Sequence, residues 1–202
     1  SPAATARSVN SSSAWRPRPA ASAPTSDTLL PVIPRKADFE PPERHVIIML
    51  DTSGSMGGWE TSMKSICRDI VGRLSESDKL DVITFTVTAN QLIKDLQMTE
   101  ANKVQAIARI DRIAIGGGTS PRQALDLLAG RKFVEGGLIF ISDGGFSPGD
   151  INESIRRSPD LRTTVFSCGN NSYRTLQKLA DPIIVKRNFD PSRIEIPYFG
   201  KK

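Results

Sequence analysis

His45-Val46-Ile47-Ile48-Met49-Leu50-Asp51 decides the fold. An unbroken apolar run that ends in an acid is the signature of a parallel strand covered on both faces, because neither face of such a strand meets water. Leu138-Ile139-Phe140-Ile141-Ser142-Asp143 repeats the pattern. Between the two runs the spacing changes to that of helices. Met63, Ile66, Cys67, Ile70, Val71 and Leu74 recur at three and four residues, which predicts a helix over 60–74 with one buried face. Leu80–Thr86 reads as a second strand, Gln91–Leu96 as a short edge strand, and 100–113 as a helix with Val104, Ile107, Ile110 and Ile113 inward.

The remainder continues the alternation. After the glycines at 116–118, Ser120 is placed to cap a helix with Pro121 at its first position and Ala124, Leu125 and Leu128 inward. Ser147-Pro148-Gly149-Asp150 opens a further helix with a capping-box-like signal. Thr163–Cys168 reads as a strand, Ser172 as the cap of a helix carrying Leu176, Leu179 and Ala180, and Ile183–Lys186 as the last strand. Alternating strands and helices imply an α/β fold: a doubly wound, mostly parallel central sheet with helices on both faces. Such sheets bind ligands at the carboxyl ends of their strands, where the strand order reverses. Asp51 and Asp143 both stand at that edge.

Residues 1–43 have a different character. They are rich in Pro, Ala and Ser, lack apolar periodicity and read as a disordered or extended, polyproline-biased linker, although Leu29, Leu30, Val32 and Ile33 offer something to dock. The domain is expected over 44–189, followed by a tail over 190–202. Hydrophobic residues make up only 38% of the 202, a deficit that the linker explains. The net charge of +5 is modest and spread out, with Arg7, Arg16 and Arg18 near one end and Lys186, Arg187, Lys201 and Lys202 near the other, and no run of basic residues is interleaved with aromatics, so no nucleic-acid partner is expected. Two cysteines cannot make a disulfide framework, and both Cys67 and Cys168 are expected as buried free thiols. The single histidine, His45, excludes most zinc sites and disfavours a Ser-His-Asp triad. No apolar run reaches the length of a membrane span. The chain starts at Ser1 rather than Met, so it reads as processed or as a piece of something longer.

The chemistry gathers around Asp51-Thr52-Ser53-Gly54-Ser55. The first strand delivers Asp51 to the sheet edge, and a turn brings two hydroxyls to the same point. Thr119 on the glycine loop and Asp143 at the end of the neighbouring strand add two more oxygens. Hydroxyls and carboxylates with nothing soft among them suit a hard divalent cation that keeps some of its waters.

These residues resemble the metal-ion-dependent adhesion site of von Willebrand factor type A domains, including those inserted in integrins. The family motif is Asp-x-Ser-x-Ser, then a Thr, then an Asp, and it stands complete here as Asp51, Ser53, Ser55, Thr119 and Asp143. The resemblance covers about residues 44–189 and implies a Rossmann-like fold. It implies that Ser53 and Ser55 coordinate Mg²⁺ (or Mn²⁺ or Ca²⁺) directly and Thr119 directly or through water. Asp51 and Asp143 would often act through water. A Glu or Asp carboxylate of a partner protein would then complete the octahedron. In some members the last helix shifts on binding, coupling occupancy to affinity.

Met56 and Trp59, just after the motif, are candidate partner contacts, with packing on the first helix as the competing reading; Gly118 and Gly144 are further candidates beside the ion, with Gly144-Gly145 read alternatively as letting the chain turn away from the site. No catalytic residue is expected. His45 lies at the wrong end of its strand, no Lys or Arg stands within three residues of Asp51–Ser55, and no Gly-x-Ser-x-Gly occurs, which disfavours a metal-dependent hydrolase. Nor does a Lys-Ser/Thr follow the glycines at 116–118 to make a nucleotide loop. Another reading is a structural subunit of a larger assembly whose metal merely stabilises, or a cytoplasmic type A domain working with an ATPase partner. A Pro/Ala tether before a compact domain resembles bacterial envelope proteins held away from a membrane, and fits equally an intracellular arm.

Overall fold

The computed structural model describes residues 43–129, 131, 136–152, 162–168, 173–176 and 179. They form five strands and five helices in the order β1 (His45–Asp51), α1 (Glu60–Arg73), β2 (Lys79–Phe85), β3 (Ala89–Gln97), α2 (Glu100–Asp111), α3 (Arg122–Asp126), β4 (Gly136–Ser142), α4 (Gly149–Asn152), β5 (Arg162–Ser167) and α5 (Tyr173–Leu176). A 3-10 helix over Gly54–Trp59 joins β1 to α1. One sheet holds the strands in the order β3-β2-β1-β4-β5. β1 lies parallel between β2 and β4, β5 is parallel to β4, and only β3 runs antiparallel at the edge.

This is the expected α/β architecture. Val46 to Leu50 are fully buried, as a central parallel strand demands. Their period of two divides them between two cores. Val46, Ile48 and Leu50 pack with Met63, Ile66, Ile70 and Val71 of α1 and Ala106 and Ile110 of α2. Ile47 and Met49 pack with Ala124 and Leu125 of α3, Phe140 and Leu176. Phe140 is itself stacked between Phe85 and Phe146, with ring centroids 5.5 and 6.1 Å away.

Helix α1 buries the stripe read from its spacing. Helix α2 departs from expectation at one position: Val104 is 70% exposed, and the inward face is Ala106, Ile110 and Ile113 with Ile107 half-buried. Val104 and Ala106 are two residues apart, roughly 200° around the helix, so burying Ala106 turns Val104 outward. The edge strand is longer than read, spanning Ala89–Gln97. Pro121 occupies the cap position of α3 rather than its first turn, and Ser120 does not cap. The Ser120 hydroxyl instead donates to Asp150 Oδ2 at 3.3 Å, tying α3 to α4. The 1–43 linker apart from Glu43, Ser172, Ala180, Ile183–Lys186 and the 190–202 tail lie outside the described residues.

Candidate metal centre

β1 ends at Asp51, and the chain then leaves the sheet. The buried Asp51 carboxylate catches this exit: its Oδ1 accepts from the backbone N–H of Ser53 at 3.0 Å. The turn sets the Ser53 and Ser55 hydroxyls 3.1 Å apart. Ser53 is buried and Ser55 exposed, so the pair leads from the sheet edge towards the surface. Three of the five sequence candidates therefore form one hydrogen-bonded run.

The glycine loop is fastened to the same turn through its backbone. Gly116 N donates to Thr52 O at 2.8 Å, and Gly54 N donates to Gly117 O at 3.0 Å. Gly117 has φ +88°, a conformation that a side chain disfavours, which explains a glycine there. Thr119 follows, half-buried, and the next residue is pinned by Ser120 N donating to Thr86 O at 2.7 Å. The loop that bears Thr119 thus closes against the turn that bears Ser53.

On the other side of Asp51 stands β4. Leu50 pairs with Ile141, which brings Ser142 next to Asp51. Ser142 Oγ donates to Asp51 Oδ2 at 2.5 Å and accepts from Gly144 N at 2.8 Å. Ser142 is a site residue that the sequence reading did not assign a role; the apolar strand run that contains it was the available signal, but its direction depends on the strand register. Asp143 is half-exposed and its Oδ1 accepts from Gly145 N at 3.0 Å. A Cβ on Gly145 would lie 3.3 Å from that oxygen, so glycine leaves the carboxylate room.

Burial raises the Asp51 pKa above the usual carboxylate value, and the Asp143 charge raises it further, against the hydrogen bonds from Ser142 and Ser53 that lower it. Asp51 and Asp143 stand at or just past the ends of adjacent strands, where the strand order reverses. A divalent cation among these oxygens would relieve both burial and repulsion, and the donor set fits one.

Met56 and Gly144 turn away from the approach, as the competing reading of each anticipated. Met56 is fully buried in the core shared with α1, because the 3-10 helix turns its side chain inward. Gly144 is also buried, with φ +75°, and serves the turn after β4 by donating to Ser142. Trp59 is half-buried and packs on the same core as Met56, as its competing reading anticipated. Gly118 is exposed at the rim.

A second group of metal-ligating residues lies at the opposite end of the sheet, about 20 Å away along β1 at the rise of a strand. His45 Nε2 is 3.3 Å from Asp81 Oδ2 and 3.6 Å from Asp95 Oδ1. Arg131 spans both acids, at 2.5 Å from Asp81 Oδ2 and 3.1 Å from Asp95 Oδ1. Asp95 N also donates to Asp81 Oδ1 at 2.6 Å, and Asp95 adopts φ +47° at the irregular pairing of β2 with β3. Arg131 already bonds both acids, so the group reads as a charge network that compensates the buried Asp81.

A sequence model of the von Willebrand factor type A domain matches residues 44–182. The chain belongs to that family. Von Willebrand factor type A domains are generally protein-interaction modules. An uncharacterised protein of Synechocystis sp. is 30% identical over 190 residues, covering 88% of this chain but 44% of its own length. The chain thus spans less than half of that relative. Among solved structures, a von Willebrand factor type A protein from Catenulispora acidiphila superposes with a TM-score of 0.63 at 20% identity, over 74% of this chain and 39% of that one. Proximal thread matrix protein 1 from the mussel byssus, solved with zinc in its metal-ion-dependent adhesion site motif, matches with a TM-score of 0.59 at 20% identity, over 73% of this chain and 42% of that one. An aerotolerance-related membrane protein from Bacteroides fragilis gives 0.52 at 21% identity, over 62% and 67%. At these identities the likeness is one of fold.

Proposed function

We propose that this type A domain is a Mg²⁺-dependent protein-interaction module, holding the ion with Asp51, Ser53, Ser55, Thr119 and Asp143 and docking a partner's Glu or Asp carboxylate on it. The observation that carries the reading is the buried Asp51 carboxylate, raised in pKa by burial and by Asp143, at the base of the hydroxyl pair Ser53–Ser55. Such a carboxylate has much to gain from a cation. Ser53 and Ser55 offer neutral oxygens, so few anionic donors quench the ion. When bound, Mg²⁺ supplies an open coordination position for a carboxylate. Mn²⁺ or Ca²⁺ offers oxygen-seeking chemistry of the same kind. Asp51 and Ser142 hold the turn in place, and the glycines around it keep bulk away from the approach. The zinc-occupied motif of the byssus protein supports the reading by likeness of fold.

Calorimetric titration with Mg²⁺ and Mn²⁺ tests the ion, and capture of partners from a native lysate with and without EDTA tests the docking. One site with a dissociation constant on the order of micromolar to millimolar is expected, as for open hard-cation sites. Asp51→Ala should abolish it while circular dichroism stays unchanged. Equal metal binding by wild type and variant would overturn the assignment.

A further inference from the structure

We infer that Val87 is the apolar contact that sets which carboxylate docks. The partner segment carries an aliphatic or aromatic side chain within two positions of its Asp or Glu, and that side chain rests on Val87 beside the glycine loop. This rests on the reading of the centre given above and adds the sequence class of its partner.

Three large apolar residues are exposed among the described residues: Val87 at 58%, Val104 at 70% and Leu127 at 41%. Val104 lies on the outer side of α2 and Leu127 at the end of α3. Only Val87 adjoins the candidate metal centre. It sits at the tip of the β2–β3 turn, which is closed by Thr86 N donating to Thr88 O at 3.0 Å. Turn tips favour Gly, Asn, Asp or Ser, so the turn itself gives no reason for a β-branched apolar residue.

The tip is bolted to the site at two points. Thr52 N donates to Phe85 O at 2.9 Å, and Ser120 N donates to Thr86 O at 2.7 Å, on either side of the residues that carry the hydroxyl donors. Val87 also lies over Gly118, the residue before Thr119: a Cβ there would come within 2.9 Å of Val87 Cγ1. Glycine at 118 therefore lets the isopropyl group settle against the loop. Gly54, Gly57, Gly58, Gly116, Gly117 and Gly118 are all exposed, so backbone rather than side chains surrounds the approach. No Lys or Arg stands within three residues of Asp51–Ser55 to hold the partner by charge. Arg122, three residues past Thr119, is exposed as well, and Val87 is the large apolar side chain exposed beside the centre. Met56, which the sequence placed in this role, is buried beneath it.

The test pans a displayed library of random peptides on the immobilised full chain in Mg²⁺ and elutes with EDTA. Wild-type eluates should be enriched in an Asp or Glu with an apolar residue within two positions. Val87→Ser should keep the acid and lose the apolar neighbour, and a synthetic peptide from the wild-type selection should bind it roughly tenfold more weakly. Gly118→Ala, which pushes the Val87 side chain off the loop, should weaken the same peptide. Acidic peptides without an apolar preference, or the same preference on Val87→Ser, would overturn the role of Val87 and leave the metal reading standing. EDTA eluates with no acidic enrichment would instead sink the metal reading and this inference with it.

Discussion

Ser142 and Asp51 lie ninety-one residues apart in sequence and share a buried 2.5 Å hydrogen bond across two parallel strands. The Ser142 hydroxyl is shared between two tasks, donating to the Asp51 carboxylate and accepting from Gly144, so it fixes both the acid and the turn that presents Asp143. Groups that orient a ligand carboxylate govern metal affinity almost as strongly as the ligands do.

Ser142→Ala should therefore weaken Mg²⁺ binding by about 10- to 100-fold. The loss in folding stability should be only about 1 kcal/mol, the typical net value of one hydrogen bond. Calorimetric titration and urea denaturation of the same preparation separate the two effects. A variant that binds as tightly as wild type would show that Asp51 needs no such support.

The network at the other end of the sheet is expected to matter for stability and not for metal. Asp81 is fully buried, and Arg131, 22% exposed on its side chain, is bonded to it at 2.5 Å. Removing one partner of a buried pair leaves a charge without its counter-ion, which costs about 3 kcal/mol. Arg131→Ala should lower stability by about that amount, somewhat less because Arg131 still meets solvent, and Arg131→Ala with Asp81→Ala should cost less than the two single changes added together. Urea melts of the four proteins check this, and unchanged Mn²⁺ titration would separate the two ends of the sheet.

Acid should destabilise the domain through Asp78 and Asp81. Burial alone would raise both pKa values, but bonds from Arg44 and Ser75 to Asp78, and from His45, Asp95 and Arg131 to Asp81, outweigh it and hold both below the ordinary 3.8. A carboxylate with a lowered folded-state pKa stabilises the protein above its unfolded pKa, and this is lost as pH falls through the folded one. Stability should stay level on this account down to about pH 4 and then drop. Asp78→Asn should be less stable at pH 7 and show a shallower acid limb in denaturation from pH 7 to 3.

Both thiols should be silent to reagents in the folded protein. Burial pushes Cys67 up to about 12, and burial with the Asp143 and Asp51 charges does the same for Cys168. The thiolate is the attacking species, so neither cysteine can react with a reagent while it stays buried and protonated. Labelling with a disulfide reagent at pH 8 should proceed at the rate of unfolding. Immediate modification of either cysteine would contradict the packing around β5 or α1.

Much of the architecture was legible because periodicity survives without tertiary knowledge. Strands buried on both faces must be apolar throughout, as Val46–Leu50 are, and α1 needs its stripe of Met63, Ile66, Ile70 and Leu74. The five proposed oxygen donors come from residue type, order and the family resemblance. What could not be read were directions. Val104 and Ala106 compete for one helix face, and the packing of α2 on the sheet chose Ala106. Met56 looked like a surface contact because it follows the motif, yet a short 3-10 helix aims it at the core. Ser142 acquired its partner from the register of β1 against β4, a long-range fact with no local trace. Val87 acquired its place beside Thr119 in the same way, from hydrogen bonds between a hairpin turn and a loop more than thirty residues on. Residue chemistry and spacing thus determined the elements and which residues are candidate donors, since these depend on near neighbours. Strand register and loop closure decided which of them meet, because those contacts join segments far apart along the chain.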